Sequence, residues 1–327
     1  MPLIQHNSLP SIDRIQQEAG QVLNESDVNP ALTRLNIAFL NIMPDKALAA
    51  TERQFLRLLA GSTEKNCYVY PFTIDGVERT FEAAAHLDQY YSNFEALQNL
   101  NIDALVITGA NVAKAELTSE LFWPELAKTL LWAKQNVRST ICSCLATHAA
   151  CKVFYQLNRT HLGGKCWGVY EHAVVDAEHS MTRNVESKIF MCHSRFNDIS
   201  KESLEKNSVR ILIESDIVGV QLAIDESLNM VYMQGHPEYD DISLLKEYKR
   251  EIVRFAHAEV DRYPLMPENY FNEDAQALLA NFQALMLSSD QPQDALAMFP
   301  ETALREQVRN QWQAAAKNIF INWLDAL

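Results

Sequence analysis

The stretch "VRSTICSCLATHAACKVFYQL", residues 137–157, decides the fold of this 327-residue chain. Its first part, "VRSTICS" (137–143), has the apolar and β-branched residues of a buried strand, and "LATHAACKVFYQL" (145–157) has the composition of a helix. Cys144 stands at the junction. A strand that turns directly into a helix predicts a parallel sheet, because a crossover helix returns the chain to the start of the next parallel strand.

The same alternation of strand and helix runs through the N-terminal half of the chain. We predict buried strands in "LNIAFLNIM" (35–43), "CYVYPFT" (67–73) and "DALVITGA" (103–110). The helical segments between and after them are 50–61 with Gly61 as its stop, 81–100 as one helix or a helix pair, and 123–136. This pattern predicts a doubly wound α/β fold with a mostly parallel sheet and helices on both faces.

The N-terminal region and the part of the chain after residue 217 are expected to differ from this pattern. Segments 218–225 and 229–235 are joined by a short polar turn and predict a hairpin that extends the sheet. From Asp241 onward the chain is predicted to be mostly helical, including 305–324. Residues 1–34 are polar and interrupted by prolines, so we predict an N-terminal arm (1–34) followed by a single domain (35–327).

The composition excludes several classes of protein. The formal net charge of −14 argues against a nucleic-acid binder, whose binding face is basic. No apolar run approaches the roughly 20 residues of a membrane-spanning helix, and the N-terminus lacks the pattern of a secretory signal. We therefore expect a cytoplasmic protein with neither a nucleic-acid nor a membrane partner. Six cysteines without regular spacing do not indicate a disulfide framework.

The position of Cys144 favours a nucleophile. A turn from strand to helix places its side chain at the carboxyl edge of the sheet, where open α/β folds bind ligands. Backbone N–H groups at a helix N-terminus stabilise a thiolate or an oxyanion. Because the glycines that usually flank such a turn are missing, a buried structural thiol stays the alternative. A metal site of Cys142, Cys144 and His148 lacks a second ligand pair at zinc spacing, so we predict no metal.

A histidine and a glutamate follow another predicted strand. In "MQGHPEYD" (233–240) the apolar strand ends just before His236, at the same edge of the sheet as Cys144. Glu238 is placed to orient the imidazole as the third member of a triad. His148, one helical turn after Cys144, would lie beneath the thiol rather than on its exposed side. Cys144, His236 and Glu238 therefore form a candidate triad for acyl transfer, to water or to another acceptor.

Several dispersed motifs then identify a known family. The motifs are "LNIAFLNIMPDKALAATERQFLRLL", "VITGA", "STICSCLATHAA", "GVYEH", "CHSRF", "GHPEYD" and "NIFINWL". In this order they resemble the homoserine O-succinyltransferase (homoserine transsuccinylase) family over roughly residues 33–327. The resemblance implies a fold related to class I glutamine amidotransferases. It also implies transfer of an acyl group from acyl-CoA to the hydroxyl of L-homoserine through an acyl-cysteine, in methionine biosynthesis. Acyl-CoA is then a substrate and no bound cofactor is expected; a homodimer is the expected assembly.

The resemblance assigns roles residue by residue. Cys144 matches the nucleophile, His236 the general base and Glu238 its partner. Arg250, in "EYKREIVRF", matches the arginine that binds the carboxylate of the amino acid. The further matches to the substrate site are Lys46, Lys165 and Ser194. In the implied mechanism the backbone N–H near Leu145 holds the oxyanion.

One position bears on the acyl donor. Ala113, in "TGANVAKAEL", matches a position where family members carry a small residue associated with succinyl-CoA or a glutamate associated with acetyl-CoA. We therefore expect succinyl-CoA, with acetyl-CoA as the alternative. Leu145 and His148 replace the usual tryptophan and glutamine, which leaves serine or another hydroxy amino acid as an alternative acceptor. A glutaminase-like Cys-His-Glu hydrolase is the alternative activity, and a non-catalytic relative would lack a triad member.

Overall fold

The structure is a computed structural model that describes residues 2–17, 22–60, 65–289 and 291–327, so the predicted stop Gly61 lies outside the described residues. The strands are β1 (Leu3–Gln5), β2 (Val22–Asn24), β3 (Thr33–Leu40), β4 (Lys65–Phe72), β5 (Ala104–Ile107), β6 (Ser139–Ser143), β7 (Thr160–Val174), β8 (Lys188–Asp198), β9 (Arg210–Ser215), β10 (Gly219–Asp225) and β11 (Met230–Met233). The helices are α1 (Pro10–Gln17), α2 (Asp45–Leu59), α3 (Phe81–Tyr90), α4 (Phe94–Gln98), α5 (Trp123–Asn136), α6 (Leu145–Tyr155), α7 (Lys201–Lys206), α8 (Ser243–Ala256), α9 (Glu273–Ser288), α10 (Pro292–Ala295), α11 (Glu301–Arg305) and α12 (Gln313–Asp325).

The strands of the described residues form one 11-stranded sheet in the order β2-β1-β4-β3-β5-β6-β11-β10-β9-β7-β8. Every pair from β2 to β11 is parallel, and every pair from β11 to β8 is antiparallel. The predicted doubly wound, mostly parallel α/β fold is confirmed, as is the hairpin of β10 and β11. In the part of the chain that the structure describes, no helix is long and apolar enough to cross a membrane.

Separate layers of helices cover the two faces of the sheet. On β3, Leu35, Ile37 and Phe39 belong to one core cluster together with buried residues of α1, α2, α8, α9 and α12, whereas Ala38 and Leu40 belong to a second cluster with buried residues of α5 and α6. This division follows from the period of two residues in a strand. Because the central strands are buried on both faces, they have the continuous apolar sequences from which they were predicted.

The described part of the N-terminal region joins the core, which corrects the prediction of an irregular arm over 1–34. β1 pairs in parallel with β2 and with β4. Apolar side chains of this region are at most 1% exposed, namely Leu3, Ile4, Leu9, Ile12 and Ile15. Pro10 begins α1, where the missing N–H of proline has no consequence, so this proline marks a helix start rather than irregular chain. The division of the chain at residue 34 stays a prediction.

The sequence did not predict β7, β8 and β9, which form the antiparallel half of the sheet with β10 and β11. Their sequences mix polar and apolar residues, and β7 contains Gly163 and Gly164, so no continuous apolar run marks them. The predicted helix over 305–324 begins only at Gln313, and 81–100 is a pair of helices. The missed strands matter for function, because β7 carries Lys165 and β8 carries Ser194.

A directional chain of hydrogen bonds joins the two long strands β7 and β8. Nε of Arg195 donates to Nδ1 of His193 (3.3 Å), Nε2 of His193 lies 3.0 Å from Nε2 of His172, and Nδ1 of His172 lies 2.9 Å from the carbonyl oxygen of Tyr170. A carbonyl oxygen only accepts, so His172 donates through Nδ1 and accepts at Nε2 from His193. Both imidazoles are therefore neutral. Burial lowers the pKa of His172 to about 4 and that of His193 well below its ordinary value.

We expect the free energy of unfolding to decrease as the pH falls from about 6.5 to about 4. The unfolded chain binds a proton on His172 near pH 6.5, whereas the folded chain excludes it until about pH 4, and the pKa of His193 is shifted in the same direction. In this window the unfolded state holds more protons, so acid favours it. Urea titrations at successive pH values should show a smaller slope against pH for His172→Gln, and an unchanged slope for the control His257→Gln, which replaces an exposed histidine. Equal slopes in wild type and His172→Gln would contradict this expectation.

Candidate active site

Cys144 occupies a strained turn between β6 and α6. Its φ of 50° and ψ of −109° lie in a region that a residue with a side chain rarely adopts. Hydrogen bonds from two residues hold the turn. The N–H of Cys144 donates to the carbonyl oxygen of Met233 (2.7 Å), and Oγ1 of Thr147 donates to the carbonyl oxygen of Cys142 (2.7 Å). The geometry is that of a nucleophile elbow, which exposes the side chain at the edge of the sheet.

Gly109 contacts this turn from the segment after the neighbouring strand. It follows β5, which is adjacent to β6 in the sheet. A Cβ atom on Gly109 would lie 3.5 Å from Cβ of Cys144 and 4.0 Å from the backbone nitrogen of Leu145. These are ordinary van der Waals separations, so Gly109 contacts the turn from a segment 35 positions earlier in the chain, but the space there does not require glycine.

His236 and Glu238 form a buried pair beside the thiol. Nδ1 of His236 lies 2.7 Å from Oε1 of Glu238. Nε2 is buried without a neighbour in hydrogen-bonding geometry among the described residues, and the side chain of Cys144 is the polar group next to the ring. Burial alone would lower the pKa of His236, but the negative charges of Glu238 and Cys144 raise it well above its ordinary value. An imidazole in this position can accept the thiol proton and hold it.

The position of His236 is fixed by two oxygen atoms that lie close to the backbone of the preceding residue, Gly235. A Cβ atom on Gly235 would lie 2.2 Å from Oε1 of Gln221 and 2.7 Å from the carbonyl oxygen of Cys192. The N–H groups of Gly235 and His236 donate to those same two oxygens, at 3.0 and 2.8 Å. Only glycine fits between them, so this residue is required for the position of the imidazole rather than for a positive φ.

His148 lies beneath the elbow, as the sequence predicted. Its Nε2 is 3.1 Å from Oε1 of Gln234, and the N–H of Ile199 also donates to that oxygen. The oxygen is thereby assigned as an acceptor, so His148 donates through Nε2, and its low pKa keeps the ring neutral near pH 7. Burial lowers the pKa of His148 to about 4. Across the described residues no group of three His, Cys, Asp or Glu side chains could hold a metal ion.

Two predicted substrate-site residues meet on Glu247, which sequence reasoning missed. Nζ of Lys165 and Oγ of Ser194 donate to Oε2 of Glu247 (3.0 and 2.7 Å), and the hydroxyl of Tyr239 donates to Oε1. Burial acts to raise the pKa of Glu247, but Lys165 and the two hydroxyls lower it to about 2. The ring of Tyr239 stacks on His236 with centroids 4.3 Å apart. A charged carboxylate is thus linked to the triad through one aromatic ring.

The remaining predicted residues lie at the surface. The side chain of Arg250, on α8, is 54% exposed and pairs with Glu251 at 3.0 Å. Lys46 is exposed in the first turn of α2. Ala113 is exposed in the loop after β5, and its N–H donates to Oε1 of Glu120 (2.7 Å). The structure therefore brings the triad together and joins Lys165 to Ser194, while in the described residues Lys46 and Ala113 have no hydrogen bond to the triad.

The other cysteines are poor nucleophiles. Burial raises the pKa of each of them, namely Cys67, Cys142, Cys151, Cys166 and Cys192. A thiol with a raised pKa stays protonated at neutral pH and reacts slowly. Cys144 is the cysteine at the elbow and beside an imidazole, which favours it as the reactive thiol.

Comparison with known proteins adds a family and a fold. A family profile described as Homoserine O-succinyltransferase matches residues 2–327. The chain is 43% identical to the homoserine O-succinyltransferase of Methylobacter tundripaludum, covering 99% of this chain and 92% of that protein. It is also 43% identical to that of Nitrosococcus oceani, covering 99% and 91%. A crystal structure of a glutamine amidotransferase from Methylobacillus flagellatus has a similar fold, with a TM-score of 0.50, 14% identity and coverage of 91% and 96%.

We expect Cys144→Gly to be more stable than Cys144→Ala. Glycine adopts a positive φ without strain, whereas alanine keeps a strain of about 1–3 kcal/mol. This gain exceeds the roughly 0.5–1 kcal/mol by which alanine is ordinarily favoured over glycine within a helix or strand. Lys152→Gly and Lys152→Ala, within α6, form the control pair, in which alanine should be the more stable. Denaturant titrations that rank alanine above glycine at both positions would show that the turn is not strained.

Proposed function

This chain belongs to the homoserine O-succinyltransferase family, and from that premise we propose that it is an acyltransferase that moves a succinyl group from succinyl-CoA to the hydroxyl of L-homoserine. The reaction proceeds through an acyl-cysteine on Cys144 and serves methionine biosynthesis in the cytoplasm. The observation that carries the proposal is the His236–Glu238 pair beside the thiol at the strained elbow. The protein needs no bound cofactor for this chemistry, and a homodimer stays a prediction.

In the first half-reaction His236 is the base. Its Nε2 accepts the proton of the Cys144 thiol, and the thiolate attacks the carbonyl carbon of the thioester. Glu238 accepts a hydrogen bond from Nδ1 and stabilises the imidazolium. Backbone N–H groups at the start of α6, that of Leu145 first, stabilise the oxyanion. The carbon–sulfur bond to CoA then breaks, and His236 returns the proton to the departing thiolate.

In the second half-reaction the same imidazole is the base that deprotonates the acceptor. His236 takes the proton of the homoserine hydroxyl, and the oxygen attacks the acyl carbon on Cys144. The bond to Cys144 breaks, O-succinylhomoserine leaves, and the thiol regains its proton from His236. Water must be kept from the acyl-enzyme, since it would otherwise hydrolyse the intermediate.

The amino-acid end of homoserine is proposed to bind at α8. Glu247 and Arg250 are three positions apart and lie on neighbouring positions of one helix face. Their opposite charges match the ammonium and carboxylate of an amino acid. Glu247 is already fixed by Lys165 and Ser194, which gives both of those predicted residues a role in the acceptor site. Serine carries the same two groups, so an acceptor panel must include it.

Incubation with succinyl-CoA in the absence of acceptor should add one succinyl group to the protein, and peptide mapping should locate it on Cys144. The reason is that the first half-reaction needs no homoserine. Cys144→Ser should lose the thioester, whereas Cys166→Ser, the control at the other partly exposed cysteine, should retain it. Addition of L-homoserine should discharge the acyl-enzyme faster than L-serine or water. A thioester that persists in Cys144→Ser, or discharge by water alone at the full rate, would contradict the proposal.

Arg250→Lys should raise the KM for homoserine about tenfold to a hundredfold. The variant keeps the charge but loses the planar pair of donors, and a hydrogen bond to a charged group contributes roughly 1.5–3 kcal/mol. The rate of acyl-enzyme formation should be unchanged, because that step does not involve homoserine. Arg254→Lys, one turn further along α8 and also bonded to Glu251, is the control and should leave both quantities as in wild type. Equal effects of the two variants on KM would exclude a specific role of Arg250.

A further inference from the structure

A pocket with a basic side chain lies against α6, the helix that begins directly after Cys144, and has no role in the mechanism above. One wall is the loop segment 115–118 after β5, and the opposite wall is α6 with the turn that follows it. Its lining residues from the second wall are His148, Lys152, Leu157, Asn158 and Arg159. Sequence reasoning did not single out Arg159.

Both walls of this pocket belong to segments that begin near the thiol. His148 and Lys152 are four positions apart and lie on one face of α6, and this helix begins directly after Cys144. The loop that forms the opposite wall follows Gly109, which lies next to Cβ of Cys144, and it lines the pocket at residues 115–118. Both walls therefore connect to the immediate surroundings of Cys144.

The guanidinium of Arg159 is held in place by the protein main chain. One of its terminal nitrogens donates to the carbonyl oxygens of Lys114 (3.1 Å) and Ala115 (3.0 Å). The same loop is held on its other side by Glu120, which accepts from the N–H groups of Ala113 and Lys114. The arginine is thus oriented before any ligand binds, which reduces the entropy lost on binding.

Arg159 also has a hydrogen-bond donor that no described residue uses. Its Nε is buried and has no hydrogen-bond partner among the described residues. The negative groups whose charges act on it are Glu120, Glu116 and Cys144, yet in the described part of the chain no carboxylate lies within 4.0 Å of it. Buried donors are nearly always satisfied in native proteins. A positive charge near the nucleophile, without an ion pair and with an unused donor, is suited to an anionic ligand.

We propose that Arg159 binds the terminal carboxylate of the succinyl group and so selects a dicarboxylic acyl donor. The inference rests on the proposed function and adds a residue that determines its donor. By ordinary bond lengths the free carboxylate of a succinyl thioester lies only about 5 Å from the sulfur, so the group that binds it must lie near Cys144, and the charge of Cys144 is among those that act on Arg159. The phosphates of CoA lie at the far end of the pantetheine arm, so the acyl carboxylate is the anion that fits this place.

The test compares two donors of equal chain length, succinyl-CoA and butyryl-CoA, in the formation of acyl-Cys144. Arg159→Gln should lower kcat/KM for succinyl-CoA by about tenfold or more, while butyryl-CoA, which has no carboxylate, should change by less than about twofold. Arg159→Lys should keep part of the preference, since it keeps the charge, and it provides the test if Arg159→Gln does not fold. Lys152→Gln, which removes the other cation of the pocket, is the control and should retain the succinyl preference.

Three results would overturn the inference. If kcat/KM falls equally for succinyl-CoA and butyryl-CoA, Arg159 holds the loop rather than the ligand. If free CoA also inhibits the variant more weakly, Arg159 binds the phosphates of CoA. If Arg159→Gln keeps the wild-type ratio of the two donors, Arg159 does not select the acyl group. Failure of the proposed function would be distinguishable, because the wild-type protein itself would then show no preference for succinyl-CoA.

Discussion

The parallel pairing of β6 with β11 is the constraint on which the site depends. The register places Ser143 opposite Met233, so both strands end at the same edge of the sheet and at the same height. Cys144 follows one strand and the segment that carries His236 follows the other. The N–H of Cys144 closes the arrangement by donating to the carbonyl oxygen of Met233. A shift of this register by one residue would reverse the faces of the strand and separate thiol from imidazole.

The antiparallel half of the sheet supplies further contacts to the site that the parallel half positions. β8 supplies the carbonyl oxygen of Cys192 that positions His236, and β7 and β8 supply Lys165 and Ser194 to the buried carboxylate of Glu247. A buried ion pair costs desolvation free energy, and breaking it by removing one partner is more costly than never forming it. Lys165 and Glu247 are therefore a mutually dependent unit, and they are expected to serve orientation of the acceptor rather than stability.

The sequence predicted the parallel half and the triad, because buried parallel strands have continuous apolar runs and their ends lie together at one edge. Cys144 and His236 could be placed side by side from that rule alone. The positions of Glu247 and Arg159 could not be predicted in this way. Glu247 depends on strands with mixed polarity that give no periodic signal, and Arg159 depends on a loop contributed by a distant segment. The buried residues of the first β–α–β unit were missed because their few apolar positions are separated by polar ones.

The different protonation preferences of His193 and His236, two of the buried histidines, follow from their partners. His193 receives a hydrogen bond from Arg195, a group that only donates, so its Nδ1 must be a lone pair and the ring stays neutral. His236 faces Glu238, a carboxylate that only accepts, so its Nδ1 must carry hydrogen and the protonated ring is stabilised. Burial acts to lower the pKa of both rings, and only at His236 do negative partners, Glu238 first and then Cys144, reverse that effect. Of these two rings and the neutral His148, only His236 has partners that favour its protonated form, which is what the proposed mechanism requires of the group that moves a proton between the thiol, the departing CoA and the acceptor hydroxyl.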